Sequence, residues 1–136
     1  MPDEVRTAIE RLMVDYCHHL DALGEAEPLL ALFTPDTVVD MTALGMPLFE
    51  GHAGLRSFFD GVKAGLSHSF HMIGNFRPES WDGAVAVMTA YVQGMGQPKG
   101  GARVEMQVRY RMECVAAADG WQCRRYTVTP MMPPVG

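Results

Sequence analysis

The stretch Arg103-Val104-Glu105-Met106-Gln107-Val108-Arg109-Tyr110-Arg111-Met112-Glu113-Cys114-Val115 decides the fold class. Val104, Met106, Val108, Tyr110, Met112 and Cys114 alternate with Glu105, Gln107, Arg109, Arg111 and Glu113. That period of two marks a strand with one dry and one wet face. Ser69 to Arg77, Ala84 to Met95 and Trp121 to Thr129 read as three further strands. Asp82-Gly83, Gly96 to Gly101 and Ala116 to Gly120 supply the turns between them, so the second half of the chain is an antiparallel meander.

The period changes upstream. Val5, Ala8, Ile9, Leu12, Met13, Tyr16, Leu20 and Leu23 fall on one face of a helix from Asp3 to about Leu23, with Gly24 as its stop. Glu25 to Phe33 reads as a short second helix, ended by Thr34-Pro35-Asp36. Thr37 to Thr42 is a strand whose hairpin return arm is Leu48-Phe49-Glu50. Leu55, Phe58, Phe59, Val62 and Leu66 then give one side of a third helix from Ala53 to Leu66. Helices before a meander predict an α+β domain with three helices packed on one face of a curved antiparallel sheet. A sheet so curved leaves a cavity at one end, where small ligands bind. Met131-Met132-Pro133-Pro134 cannot continue a central strand, and 130–136 is read as a tail or edge cover.

Composition bounds the function. With 136 residues and 48% of them hydrophobic, the chain can build one core, and a single domain over 1–136 is expected. Eleven lysines and arginines against sixteen aspartates and glutamates leave no basic excess for phosphates, so no nucleic-acid partner is expected. Apolar runs such as Leu29 to Phe33 fall far short of a membrane span, and Met1-Pro2-Asp3-Glu4 is acidic where a secretory signal is basic. The expectation is therefore a cytoplasmic protein with no membrane partner. Cys17, Cys114 and Cys123 are odd in number and lack C-x-x-C spacing, which predicts reduced thiols. Eleven methionines stand out, because Met fills irregular gaps or lines adaptable apolar pockets. Met72, Met88, Met95, Met106 and Met112 lie along the expected sheet.

The order of elements, with Leu29-Leu30-Ala31-Leu32-Phe33-Thr34-Pro35-Asp36 before the first strand and Phe49-Glu50-Gly51 before the third helix, resembles the SnoaL-like branch of the nuclear-transport-factor-2-like superfamily. The resemblance covers nearly the whole chain and implies a cone-shaped α+β barrel and a homodimer. The superfamily contains dehydratases, isomerases, cyclases, a dehydrochlorinase, dioxygenase small subunits and non-catalytic modules, so fold alone does not assign an activity. His71, in Ser69-Phe70-His71-Met72-Ile73-Gly74, matches the catalytic histidine of the scytalone dehydratase and lindane dehydrochlorinase members. Asp21, in His19-Leu20-Asp21, matches the aspartate that orients that histidine. Two tyrosines of scytalone dehydratase correspond to Leu20 and Met41, and its second pocket histidine has no counterpart near Gly96, which argues against a shared substrate.

An Asp–His pair suits proton abstraction: the carboxylate fixes the tautomer at one ring nitrogen and leaves the other free as a base. The alternative is a surface aspartate and a structural strand histidine, since Asp21 projects near the edge of the apolar stripe. His19 projects closer to the stripe and is either a pocket polar group or a core histidine bonded to backbone. Arg125 would face Met112 on the dry side if the last hairpin paired symmetrically, where it would want an anionic partner; a bulge would instead turn it to solvent. Tyr16, Tyr91 and Asn75 are candidate donors to a substrate oxygen, and Met72 a candidate pocket wall. His18, His19, Asp21, His68 and His71 contain the residue types of a metal site, but positions 68 and 71 point to opposite faces of one strand, and no metal is expected. Gly94 to Gly101 lacks the spacing of a phosphate cradle, so no nucleotide cofactor is implied.

The reading that emerges is a cofactor-free lyase or isomerase acting on a small, apolar, polyketide-, steroid- or terpenoid-like ring compound. The alternative is a non-catalytic ligand-binding or dimerisation module, or a dioxygenase small-subunit-like protein that acts beside a large partner chain.

Overall fold

Val5, Ile9, Leu12, Met13, Tyr16, Cys17 and Leu20 are all buried and form one face of helix α1, Asp3–Ala22. Asp3 and Glu4 occupy its first turn, where negative charge meets the positive end of the helix dipole. The left-handed cap falls on Leu23, at φ +50, and not on the expected Gly24. In this computed structural model residues 1–133 and residue 135 are described; Pro134 and Gly136, both in the expected tail, lie outside them.

Helix α2, Glu27–Leu30, is shorter than its sequence suggests because the sheet claims the next residues. Cys123 N–H donates to Leu32 O at 2.8 Å, and Phe33 is fully buried opposite Cys123. Strand β1, Phe33–Asp40, absorbs Thr34-Pro35-Asp36 in an irregularity between Phe33 and Val38. A 3-10 turn, Thr42–Leu44, leads to strand β2, Leu48–Glu50, which pairs back on β1. The chain then reverses at Gly51, whose φ of +68 favours glycine and where a Cβ would crowd Pro35 O at 3.3 Å. Helix α3, Gly51–Gly65, buries Leu55, Phe58 and Phe59.

Four long strands follow: β3, Leu66–Trp81; β4, Val85–Pro98; β5, Val104–Ala117; and β6, Gly120–Pro130. The sheet runs β2-β1-β6-β5-β4-β3, curved and unclosed around the helices. Two details differ from expectation. Only α1 and α2 precede the sheet, and β1 lies parallel to β6, so the sheet is antiparallel except at that pair. The parallel pair exists because β6 returns to the middle of the sheet beside a strand contributed early in the chain.

The dry face of the meander is Met88, Ala90 and Val92 on β4, Val108, Tyr110, Met112 and Cys114 on β5, and Cys123, Tyr126 and Val128 on β6, all buried in one core with the apolar faces of α1 and α3. Past Pro130 the chain still follows β5: Met131 N–H donates to Gln107 O at 2.8 Å, and Val135 pairs with Glu105. The described part of the tail thus covers one stretch of β5. No helix among the described residues is long and apolar enough to cross a membrane.

Candidate functional site

Asp21 closes the last turn of α1, and Ser69 and His71 stand two residues apart on β3, hence on the same face of the strand. Packing of α1 against β3 brings the three together. The Asp21 carboxylate accepts from the His71 ring Nδ1 at 2.6 Å, from the His71 backbone N–H at 2.8 Å and from Ser69 Oγ at 2.8 Å. An ionised carboxylate has no proton to give, so the ring donates from Nδ1 and the neutral imidazole keeps Nε2 bare. Partial burial pushes the Asp21 carboxyl up, but the bonds from the His71 ring, from Ser69 and from the His71 N–H together outweigh it and hold the group below the usual carboxylate range. Side-chain exposure is only 15% for His71 and 23% for Asp21, so the pair is sheltered while still reachable.

Room for the imidazole comes from Gly94, the partner of His71 on β4. A Cβ there would lie 3.2 Å from both Cδ2 and Nε2 of the ring. His71 forms part of the wall of a cavity of about 280 Å³ enclosed by α1, α3 and the sheet. Phe58 and Val62 of α3, Met41, Leu44 and Met46 after β1, and Met95, Val104 and Met106 of the meander give it an apolar lining. Leu20 and Met41, which stand where scytalone dehydratase has tyrosines, both line it. Gly96 lies against the Leu66 side chain, 3.1 Å from where its Cβ would be.

Ser69, His71 and three tyrosines, Tyr16, Tyr110 and Tyr126, also border it, and Tyr16 and Tyr126 keep their hydroxyls buried. Tyr16 was expected here on sequence grounds; Tyr110, Tyr126 and Ser69 were not singled out. The alternation along β5 already carried Tyr110 on its dry face, and Ser69 shares the parity of His71. Tyr126 needed the register of the last hairpin.

Five other candidates, Met72, Tyr91, Asn75, Arg125 and His19, lie elsewhere. Met72 is adjacent to His71 in the chain and therefore on the opposite face, 63% exposed. Tyr91 is out of step with buried Met88, Ala90 and Val92 and faces outward, where Arg109 sits over its ring at 5.6 Å. Asn75 takes φ +51 at the irregularity between Gly74 and Arg77 and lines an outer groove with Tyr91. Arg125 faces Glu113 in the register, not Met112, because an extra residue in β6 shifts the pairing between Glu113 and Cys114. Its Nη2 donates to Asp40 Oδ2 at 3.4 Å, and Tyr126 takes the dry position opposite Met112.

His19 is half-buried and does not line the cavity, and His18 is exposed. His68 Nδ1 lies 3.0 Å from Ser67 Oγ, on the strand face opposite His71. Cys114 faces Cys123, and both, like Cys17, are buried free thiols.

A family model for the SnoaL-like domain matches residues 4–127. The crystal structure of a protein of Novosphingobium aromaticivorans, provisionally named an aromatic ring hydroxylase, is 40% identical over 100% of this chain and 95% of its own, with a TM-score of 0.97. A protein of the same bacterium provisionally named a scytalone dehydratase is 24% identical over 93% of this chain and 83% of its own, with a TM-score of 0.83. A hexachlorocyclohexane dehydrochlorinase of Novosphingobium barchaimii is 17% identical over 96% of this chain and 90% of its own, with a TM-score of 0.82. At those identities the last two likenesses concern the fold alone. A search of curated proteins found no match.

Proposed function

Since this chain belongs to the SnoaL-like domain family, we propose that it is a lyase or isomerase that works without a cofactor and uses His71 to take a proton from a small apolar ring compound. The observation that carries the proposal is the 2.6 Å bond between His71 Nδ1 and Asp21 Oδ1 in the wall of an apolar cavity. Nε2 of His71 accepts the proton, and Asp21, already an anion, balances the imidazolium that forms. Asp21 is a positioning residue, and Ser69 and the His71 N–H fix it in turn. Because the pair is mostly buried beside an apolar lining, the attraction between the two charges is stronger than it would be in solution.

The test is solvent deuterium exchange into 2-tetralone, a bicyclic ketone with acidic ring C–H bonds, followed by proton NMR. Exchange well above the buffer rate is expected, and a rate equal to buffer for this and related ring ketones sinks the proposal. Gly94→Ala should slow exchange about tenfold, because its Cβ crowds the imidazole and small misplacements of a reacting group are costly. An unaltered rate would show that the ring has slack at that point.

A second reading draws on the provisional name of the 40% identical relative, an aromatic ring hydroxylase. On it the cavity holds an aromatic ring for a partner chain, which should co-purify.

We also infer a homodimer built on the outer sheet face. Met72, Tyr91, Met131 and Met132 line one groove there and are all exposed. Sedimentation velocity should give a dimer that Met72→Glu dissociates; a monomeric wild type refutes it.

A further inference from the structure

We infer that the cavity opens at Met46 onto a groove along α3, and that the substrate is a ring compound whose unbranched alkyl substituent lies in that groove. The inference rests on the reading of the cavity as the site of a ring compound and narrows its substrate class. Of the described residues that line the cavity, Met46 alone is exposed, at 37%, and the others are buried or half-buried. A ligand therefore enters beside Met46.

At about 280 Å³ the cavity lies below the roughly 300 to 1,000 Å³ of most ligand pockets, so it has room for a ring and little more. It does not end at its mouth, because Met46, Phe58, Val62 and Leu66 line both the cavity and a surface groove that Phe49 and Pro98 extend. Pro98 stands four residues from Gly94, the partner of His71, and so roughly 13 Å along β4 from the base. A fused two-ring compound with its acidic C–H at His71 does not reach Pro98. The same compound with a chain of several carbons does.

The lining of the groove selects hydrocarbon. Among the described residues Ser57 supplies its one polar side chain, and no charged side chain lines it. Lys63, next to Val62 on α3, lies over the Phe59 ring at 5.2 Å, and Lys99 Nζ donates to Lys63 O at 3.2 Å. A chain in the groove therefore gains by burying CH2 groups, and a charged or hydroxylated chain would lose water without finding partners. Gly61 and Gly65 keep the helix side open, since a Cβ at either would meet nothing within 4 Å and neither has a positive φ. At Gly54 of the same helix a Cβ would lie 3.1 Å from Phe49 C, so close packing accounts for that glycine and for neither of the other two.

The experiment compares 6-hexyl-2-naphthol with 2-naphthol by fluorescence titration of the full chain, below the concentration at which the alkylated compound aggregates. Wild type should bind the hexyl compound about thirtyfold or more tightly, as burial of about half of its added hydrocarbon requires. Gly61→Leu and Gly65→Leu each fill part of the groove and should each lower that ratio. The double change should bring it below about threefold and leave 2-naphthol binding unaltered. Both single variants should melt at or above the wild-type temperature, because the new side chain meets nothing and leucine is the better helix former. Equal affinity for the two compounds, binding of neither, or a ratio that survives the double change, as it would if the chain adhered to any apolar surface, would overturn the inference. So would an equal fall for both compounds, which would put the effect on the cavity itself. If the double variant does not fold, an unaltered ratio in the two single variants overturns it equally. The two readings fail separately: a hexyl preference without exchange of 2-tetralone removes the base and keeps the groove, and His71-dependent exchange without that preference does the reverse.

Discussion

His71→Ala is expected to lower deuterium exchange into 2-tetralone at least about a hundredfold, the largest effect of any single substitution in this cavity. Ser69 is the other polar group close to Asp21, and its hydroxyl already donates to that carboxylate, so no neighbour can take over as base. The tyrosine phenols stay protonated and cannot substitute either. The change removes a ring that is largely but not wholly buried, at the edge strand of the sheet, so folding should survive. Retained near-ultraviolet circular dichroism with lost exchange is the expected pair of results. Exchange at the wild-type rate in a folded variant would refute His71 as the base.

Asp21→Asn should cost nearly as much, by a different route. The carboxylate accepts three bonds: two at Oδ1, from the His71 ring and Ser69, and one at Oδ2, from the His71 N–H. An amide can satisfy all three partners only by turning its oxygen to the backbone N–H and its nitrogen to the ring and to Ser69. Nδ1 of His71 must then accept, which moves the ring proton to Nε2 and leaves no base facing the substrate. The fold is kept and the tautomer is wrong, so the expected loss is again about a hundredfold. A folded Asp21→Asn variant with full exchange would show that the carboxylate does not set the tautomer.

The same substitution has a signature in stability. The Asp21 carboxyl sits below its usual range in the folded chain, so in acid the unfolded chain binds its proton first. Its contribution is complete above the ordinary aspartate pKa of about 3.9 and is lost as pH falls through the lowered folded value. Denaturant titrations down through the carboxylate range should therefore show wild type converging on Asp21→Asn in acid. A gap that stays constant with pH would assign the difference to packing.

Much of this site was legible in the chain. Asp21 and His71 were paired by their place in a recognisable order of elements, and the apolar stripe of its helix placed Tyr16 in the interior. Met72 and Tyr91 could have been set aside on strand parity alone, since each is one step from a residue that faces inward. Arg125 and Tyr126 could not be sorted that way. Their parity depends on one extra residue in β6, and the pairing of Cys114 with Cys123 looks the same on either side of it.

What the sequence by itself determined is the set of local periods: a long amphipathic first helix, an apolar third helix, and a meander with a dry face. Those follow from side-chain spacing along a single element and need no partner. The tertiary structure alone decided where α2 yields to β1, that β1 joins β6 in parallel, and which side of β6 carries a tyrosine and which an arginine. Each of those depends on hydrogen bonds between residues far apart in the chain, and a one-residue slip in such a ladder exchanges the two faces of a strand without altering its local pattern.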